Sequence, residues 1–205
     1  GKSPALPGRR MLRPLSLLLT GWVLTSTFHV IASTSSGTGA AVVEVNAQTH
    51  LHICADATIR IVHQPRRPIP NPFDSLVVTA QWRRVPFTTI ETESSVTVQT
   101  ARVTVLAQKA TGLVEFRDRV TGRVLLQESG WRLDPATDFD GSPSYAVEQN
   151  WVLKADEGLY GGGQYQNGLL QYGELPLQRI QFITEAVVPF FVSTEGYGLL
   201  WDNYA

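Results

Sequence analysis

The sequence predicts an all-β fold, an antiparallel β-sandwich. From residue 41 onward, runs of β-branched and aromatic residues recur at strand length. Clusters of Gly, Pro, Asn and Asp separate them. No later window sustains an amphipathic period long enough for a helix. Short strands with turn signals between them point to two packed sheets.

The chain opens on a different pattern. Arg9, Arg10 and Arg13 flank Met11, the only methionine, and an apolar run covers residues 15–32. Val30-Ile31-Ala32 suits a signal peptidase, so residues 1–32 are expected to be a leader and secretory signal cut after Ala32. Residues 1–10, ahead of that start, read as an over-extended frame. Thr20, Thr25, Ser26, Thr27 and His29 interrupt the run, which is short for a membrane span. The mature protein is expected to be exported, periplasmic or extracellular, with no membrane contact after cleavage. Residues 33–40, rich in Ser, Thr and Gly, form a flexible lead-in to one domain over 41–205.

Within that domain, Val42-Val43-Glu44-Val45, Leu51-His52-Ile53 and Thr58-Ile59-Arg60-Ile61-Val62 read as successive strands. Pro65, Pro68, Pro70 and Pro72 make the next stretch a surface loop, because proline lacks the ladder donor. Leu76-Val77-Val78 resumes a strand. Val96 and Val98 are even-numbered, whereas Val103 and Val105 are odd. Side chains alternate faces along a strand, so this change of phase demands a bulge, a bend or two strands. Residues 113–126 read as a hairpin: Val114 and Phe116 lead out, Thr121-Gly122 turns, and Val124 and Leu126 return. Residues 134–144 form an Asp-, Pro- and Gly-rich loop. Tyr145, Val147, Trp151 and Leu153 alternate as another strand. Phe190-Phe191-Val192 and Leu199-Leu200-Trp201 read as core strands, and Asp202-Asn203 as a turn.

Composition excludes several functions. Net charge is −1 with no basic run, which argues against nucleic acid or an anionic membrane as partner. Cys54 stands alone, so no internal disulfide can form. The four histidines, His29, His50, His52 and His63, lack the companions of a metal site. Asp134, Asp138 and Asp140 are loosely spaced around Pro135 and do not make a calcium loop. The glycines at 161–163 have no following Gly-Lys-Ser/Thr, so they do not cradle phosphate. No metal or other cofactor is expected.

Residues 160–168 carry the chemistry that remains. Three consecutive glycines permit positive φ and let a backbone or a ligand approach closely. Gln164, Gln166 and Asn167 add amides, and Tyr165 adds a flat ring with a polar tip. Sugars need that mixture, although a tight turn with solvated amides has the same composition. Thr184 and Glu185, just before Val187-Val188-Pro189, add a hydroxyl and a carboxylate.

Three blocks in order, Leu159-Tyr160-Gly161-Gly162-Gly163-Gln164-Tyr165-Gln166-Asn167-Gly168, Val188-Pro189-Phe190-Phe191-Val192-Ser193 and Gly196-Tyr197-Gly198-Leu199-Leu200-Trp201-Asp202-Asn203, resemble the amino-terminal β-domain of glycoside hydrolase family 31. Ile59-Arg60-Ile61 and Glu115-Phe116-Arg117-Asp118 with Gly122 agree with it. The resemblance covers about Val42 to Ala205. Gly162 departs from the bulky apolar residue usual in the family, and Ile183 from an asparagine. The resemblance implies a galactose-mutarotase-like supersandwich and an α-xylosidase or α-glucosidase parent that works with retention through two carboxylates. It places both catalytic aspartates in a barrel downstream of this segment, so no residue here is expected to be catalytic and the chain is expected to be a fragment. Gln164, Tyr165, Gln166, Asn167, Thr184 and Glu185 are the implied substrate-binding residues. The implied partners are an oligosaccharide or α-glycoside and the parent's own catalytic barrel. A stand-alone carbohydrate-binding module is the alternative.

Overall fold

The structure is a computed structural model that describes residues 40–65, 75, 77–78, 81–166, 168–173 and 185–202, together with the strand course of 14–21. The described residues form strands and no helix: β1 (Pro14–Gly21), β2 (Ala41–Asn46), β3 (Thr49–Ala55), β4 (Thr58–His63), β5 (Thr88–Glu91), β6 (Ser95–Gln99), β7 (Val103–Gln108), β8 (Val114–Asp118), β9 (Val124–Thr137), β10 (Pro143–Val152), β11 (Leu159–Gln164), β12 (Ala186–Ser193) and β13 (Gly198–Leu200). They make a seven-stranded sheet ordered β1-β10-β9-β8-β7-β6-β5 and two three-stranded sheets, β2-β3-β4 and β11-β12-β13. Every strand pairing is antiparallel. The fold is the all-β sandwich that the strand pattern predicts.

One core joins the first two sheets. Val43, Val45, Leu51 and Ile53 of the β2–β4 sheet meet Val96, Val98, Val103, Val105, Ala107, Val114, Leu126 and Trp151 of the large sheet. Tyr197 and Leu199, at the third sheet, pack against the same cluster. The phase change between Val98 and Val103 is a hairpin, with Val98 opposite Val105 and Val96 opposite Ala107. Thr100 closes its turn: its hydroxyl oxygen accepts the Val103 N–H at 3.0 Å and donates to the Asp56 carbonyl at 2.6 Å.

The hairpin between β8 and β9 turns where expected. Asp118 Oδ1 accepts the backbone N–H groups of Val120 and Thr121 at 3.1 and 2.7 Å, and Gly122 takes a φ of 70°. These bonds hold the Asp118 carboxyl below its ordinary range. A bulge between Phe116 and Arg117 shifts the return strand, so Val124 pairs with Arg117.

Three expectations change. Val77 and Val78 are not in a strand, and Leu76 lies outside the described residues. The loop expected over 134–144 shrinks, because β9 runs on to Thr137 and pairs Pro135 with Tyr145. Proline is tolerated there because β8 pairs with β9 no further than Gln127, leaving Pro135 with a neighbour on one side only. The short strand β5 has no counterpart in the predicted elements. Pro68, Pro70, Pro72 and Asn203 lie outside the described residues. The strand course of Pro14–Gly21 lies along β10, from Pro14 opposite Val152 to Gly21 opposite Tyr145.

Buried charges tie the layers. Glu128 of β9 is enclosed, and its Oε1 accepts from His63 Nε2 at 2.7 Å and Gln149 Nε2 at 2.6 Å, while Oε2 accepts the Val114 N–H at 3.1 Å. The His63 ring stacks on Trp131 at 4.3 Å. Glu157, also buried, accepts the hydroxyls of Ser193 and Tyr197 and the Lys154 N–H. Lys154 and Arg123 meet at Glu195, which joins the third sheet to the large one.

Candidate functional site

The glycines come first, because they set the hairpin that carries the predicted site. Gly161, Gly162 and Gly163 have φ of 109°, 83° and 123°, a conformation L side chains rarely adopt. They lie in strand β11, and a backbone approaches them. A Cβ on Gly161 would stand 2.5 Å from the Phe190 carbonyl oxygen, and one on Gly163 would stand 1.9 Å from that of Ala186. The glycines therefore seat β11 on β12, with a register shift between Gly161 and Gly163.

This seating brings two predicted segments together. Gln164 pairs across the strands with Ala186, next to Glu185. Gln164 and Gln166 are exposed, and Tyr165 and Glu185 are half-buried. The Tyr165 hydroxyl donates to the Gly162 carbonyl at 2.9 Å, and its ring meets Tyr172 edge-to-face at 6.2 Å. Tyr172 is buried, and its N–H donates to the Leu159 carbonyl at 2.9 Å. The segment after β11 thus folds back on its own strand, with Tyr165 as an organiser. Asn167 and Thr184 lie outside the described residues, as does Ile183.

Beside this loop end lies a surface the strand pattern did not reveal. Phe190, Val192 and Leu200, expected in the core, are exposed. With Tyr160 and Val188 they form an apolar face, each residue 38–50% exposed. Phe190 opposes Leu200 and Val192 opposes Tyr160, so these side chains share the outer face of β11–β13. The inner face takes Leu159, Phe191 and, past β13, Trp201, all buried. The signal was in the sequence: β12 is apolar at both parities, the mark of a strand covered on both sides.

The other candidates resolve into structure. Asp134 pairs with Arg132 at 2.8 Å, and the Asp140 carboxylate accepts the Ser142 N–H at 2.9 Å. Among the described residues no group of His, Cys, Asp and Glu is arranged to hold a metal. Among the described residues no helix is long and apolar enough to cross a membrane.

No family model matches the chain. An α-xylosidase of Saccharolobus solfataricus is 42% identical over 71 residues, which is 30% of this chain and 10% of that protein. The α-xylosidase of Xanthomonas citri, a glycoside hydrolase of family 31, superposes on 85% of this chain and 19% of its own, with a TM-score of 0.67 and 28% identity. By sequence and by structure, the chain is similar to a part of family 31 glycoside hydrolases. The family 31 dextranase of Flavobacterium johnsoniae shares the fold, with a TM-score of 0.59 and 20% identity over 82% of this chain and 22% of its own. The chain spans about a tenth of the first curated relative and about a fifth of these solved family 31 structures.

Proposed function

We propose that this chain is the supporting β-domain of an exported family 31 α-glycosidase, with the galactose-mutarotase-like architecture of that family. The outer face of β11–β13 packs on the catalytic barrel. The hairpin end, with Gln164, Tyr165, Gln166, Asn167, Thr184 and Glu185, shapes substrate entry. The barrel supplies the two carboxylates that hydrolyse the α-xyloside or α-glucoside with retention. The observation that carries this reading is the half-exposed apolar face next to the loop end. A domain built to live alone does not leave such a face in water. The buried carboxylates Glu128 and Glu157 are each saturated with donors, which suits structure and not acid–base work.

The test is made on the chain by itself and on the longer protein that carries it. The chain alone is expected to leave p-nitrophenyl α-xyloside and isomaltotriose uncleaved and unbound in calorimetry. Gln164→Ala and Glu185→Ala in the longer protein are expected to lower kcat/KM several-fold without lowering its melting temperature. Unchanged kinetics in both variants would refute the substrate-entry role. Calorimetric binding of isomaltotriose by the chain alone would favour a carbohydrate-binding module, the reading that exposed Gln164 and Gln166 beside Tyr165 also suit.

A further inference from the structure

The two ends of β9 carry opposite charge. At its start, the β6–β7 and β8–β9 turns lie side by side. Val103 opposes Asp118, and one step on the Arg119 N–H donates to the Arg102 carbonyl at 3.0 Å. Two arginines therefore stand at adjacent positions, where like charges repel. The acids around them are committed elsewhere. Glu115 holds Arg117, Glu195 holds Arg123 and Lys154, and Asp118 accepts the N–H groups of its own turn. Among the described residues no ion pair holds Arg102 or Arg119, not even from Asp56, whose carbonyl accepts the Thr100 hydroxyl. Both arginines are exposed, and Val120, in the turn beside them, is 87% exposed.

The far end is acidic. Val124–Thr137 spans up to about 43 Å at about 3.3 Å per residue, and β8 follows it only to Gln127. Beyond that point the β9–β10 arm, residues 130–150, holds one cation, Arg132, against Asp134, Asp138, Asp140 and Glu148. Arg132 is shared by Asp134 and Glu148. Asp138 and Asp140 flank Phe139 at the tip. Hydrogen bonds fix that turn. The Asp138 N–H donates to the Ser142 carbonyl and the Gly141 N–H to the Asp138 carbonyl, both at 2.9 Å. Asp138 Oδ1 accepts the Phe139 N–H at 2.7 Å, and Asp140 Oδ1 accepts the Ser142 N–H at 2.9 Å. Phe139 itself is 98% exposed. An aromatic ring presented whole to solvent by a fixed turn has the form of an interface anchor.

We propose that the chain associates with copies of itself head to tail, the Asp138–Phe139–Asp140 tip of one copy seating against Arg102, Arg119 and Val120 of the next. The tip offers an aromatic ring between two carboxylates. The turn offers an aliphatic side chain beside two unpaired guanidiniums, whose fork suits a carboxylate. Charge complementarity singles out a second copy as the occupant, because one chain carries both halves. The halves lie at opposite ends of β9, so a single copy does not close them on itself. The contact is heterologous, and its repetition builds open chains and does not stop at a dimer. Contact through two turns is small beside the about 1,600 Å² of a standard interface, so it belongs to the weak, salt-sensitive class. None of these residues lies on the outer face of β11–β13, so the contact is independent of packing on a barrel.

Sedimentation velocity of the full chain, at rising concentration in about 20 mM and about 500 mM salt, reads the association. The weight-average mass is expected to climb past a dimer at low salt and to fall toward the monomer at high salt. Arg102→Glu with Arg119→Glu makes a chain acidic at both ends, and Asp138→Lys with Asp140→Lys makes one basic at both. Each alone is expected to associate at least about tenfold more weakly. An equimolar mixture is expected to recover the parent's association, since the reversed ends complement one another. That recovery separates this contact from the outer apolar face of β11–β13, which both variants keep. A parent chain that stays monomeric at low salt, variants that associate like the parent, or a mixture no stronger than its components would overturn the proposal. Should the lysine pair upset the tip turn, Phe139→Ser decides, because the Asp138 and Asp140 carboxylates stay in place. Association weakened about tenfold upholds the contact, and unchanged association refutes it.

Discussion

Replacing Gly163 by alanine will unseat β11 from β12. The new Cβ would lie 1.9 Å from the Ala186 oxygen and 2.9 Å from the Val188 nitrogen, both backbone atoms that cannot swing aside. The φ of 123° adds strain of about 1–3 kcal/mol for any residue with a side chain. Relieving the overlap means moving one strand off the other, which breaks the ladder around Gly163 opposite Val187 and Gln164 opposite Ala186. Two such hydrogen bonds are worth about 2 kcal/mol together. The total comes to about 3–5 kcal/mol. Gly122→Ala is the control: it shares a positive φ of 70°, but nothing lies within 4 Å of its Cβ, so it should cost only about 1–2 kcal/mol. Urea denaturation of both variants, followed by tryptophan fluorescence, measures the difference. A Gly163→Ala chain as stable as Gly122→Ala would refute the steric argument.

Glu128→Gln places an amide donor among the three donors that converge on the carboxylate, and should cost about 3 kcal/mol in urea with an unchanged m-value. Burial and the Glu157 carboxylate hold the Tyr197 phenol well above the usual tyrosine range. The unfolded phenol ionises near pH 10, so the stability Tyr197 contributes should be intact below about pH 10 and fade above it. Tyr197→Phe should flatten that alkaline limb in denaturation curves. The double change Phe190→Ser with Val192→Ser should reduce dye binding and self-association in sedimentation. Its unfolding free energy should move by no more than about 1 kcal/mol, as for surface positions.

Local pattern was enough for much of this fold. The strands around Val43, Leu51 and Ile59 follow from β-branched runs, and the parity change from Val98 to Val103 announces two strands. Thr121-Gly122 announces its turn. Glu128 was not legible, because a charged residue in a strand is usually solvated, and its partner His63 is distant in sequence. For the glycines at 161–163 the sequence shows that something comes close, without showing whether it is a ligand or a neighbouring strand. Only the β12 backbone decides that. The same holds for Phe190 and Val192: their hydrophobicity says that they are to be covered, not by which layer. Gln164 and Glu185 come to neighbouring positions because β11 pairs with β12, Gln164 opposite Ala186, a relation invisible to spacing.

The crowded glycines also solve an alignment problem. Because β12 is apolar on both faces, sliding β11 by one residue would set Gly161 opposite Phe190 or Val192 in place of Phe191, an apolar neighbour in every case, and hydrophobicity would barely notice. Steric exclusion notices at once. A slip in one direction brings Tyr160 to the place of Gly161, beneath the Phe190 oxygen. A slip in the other brings Gln164 to the place of Gly163, beneath that of Ala186. Either way a carbon is driven into a carbonyl. The hairpin is thus proofread by refusal and not by preference, and Gln164 is delivered beside Glu185 at a single address.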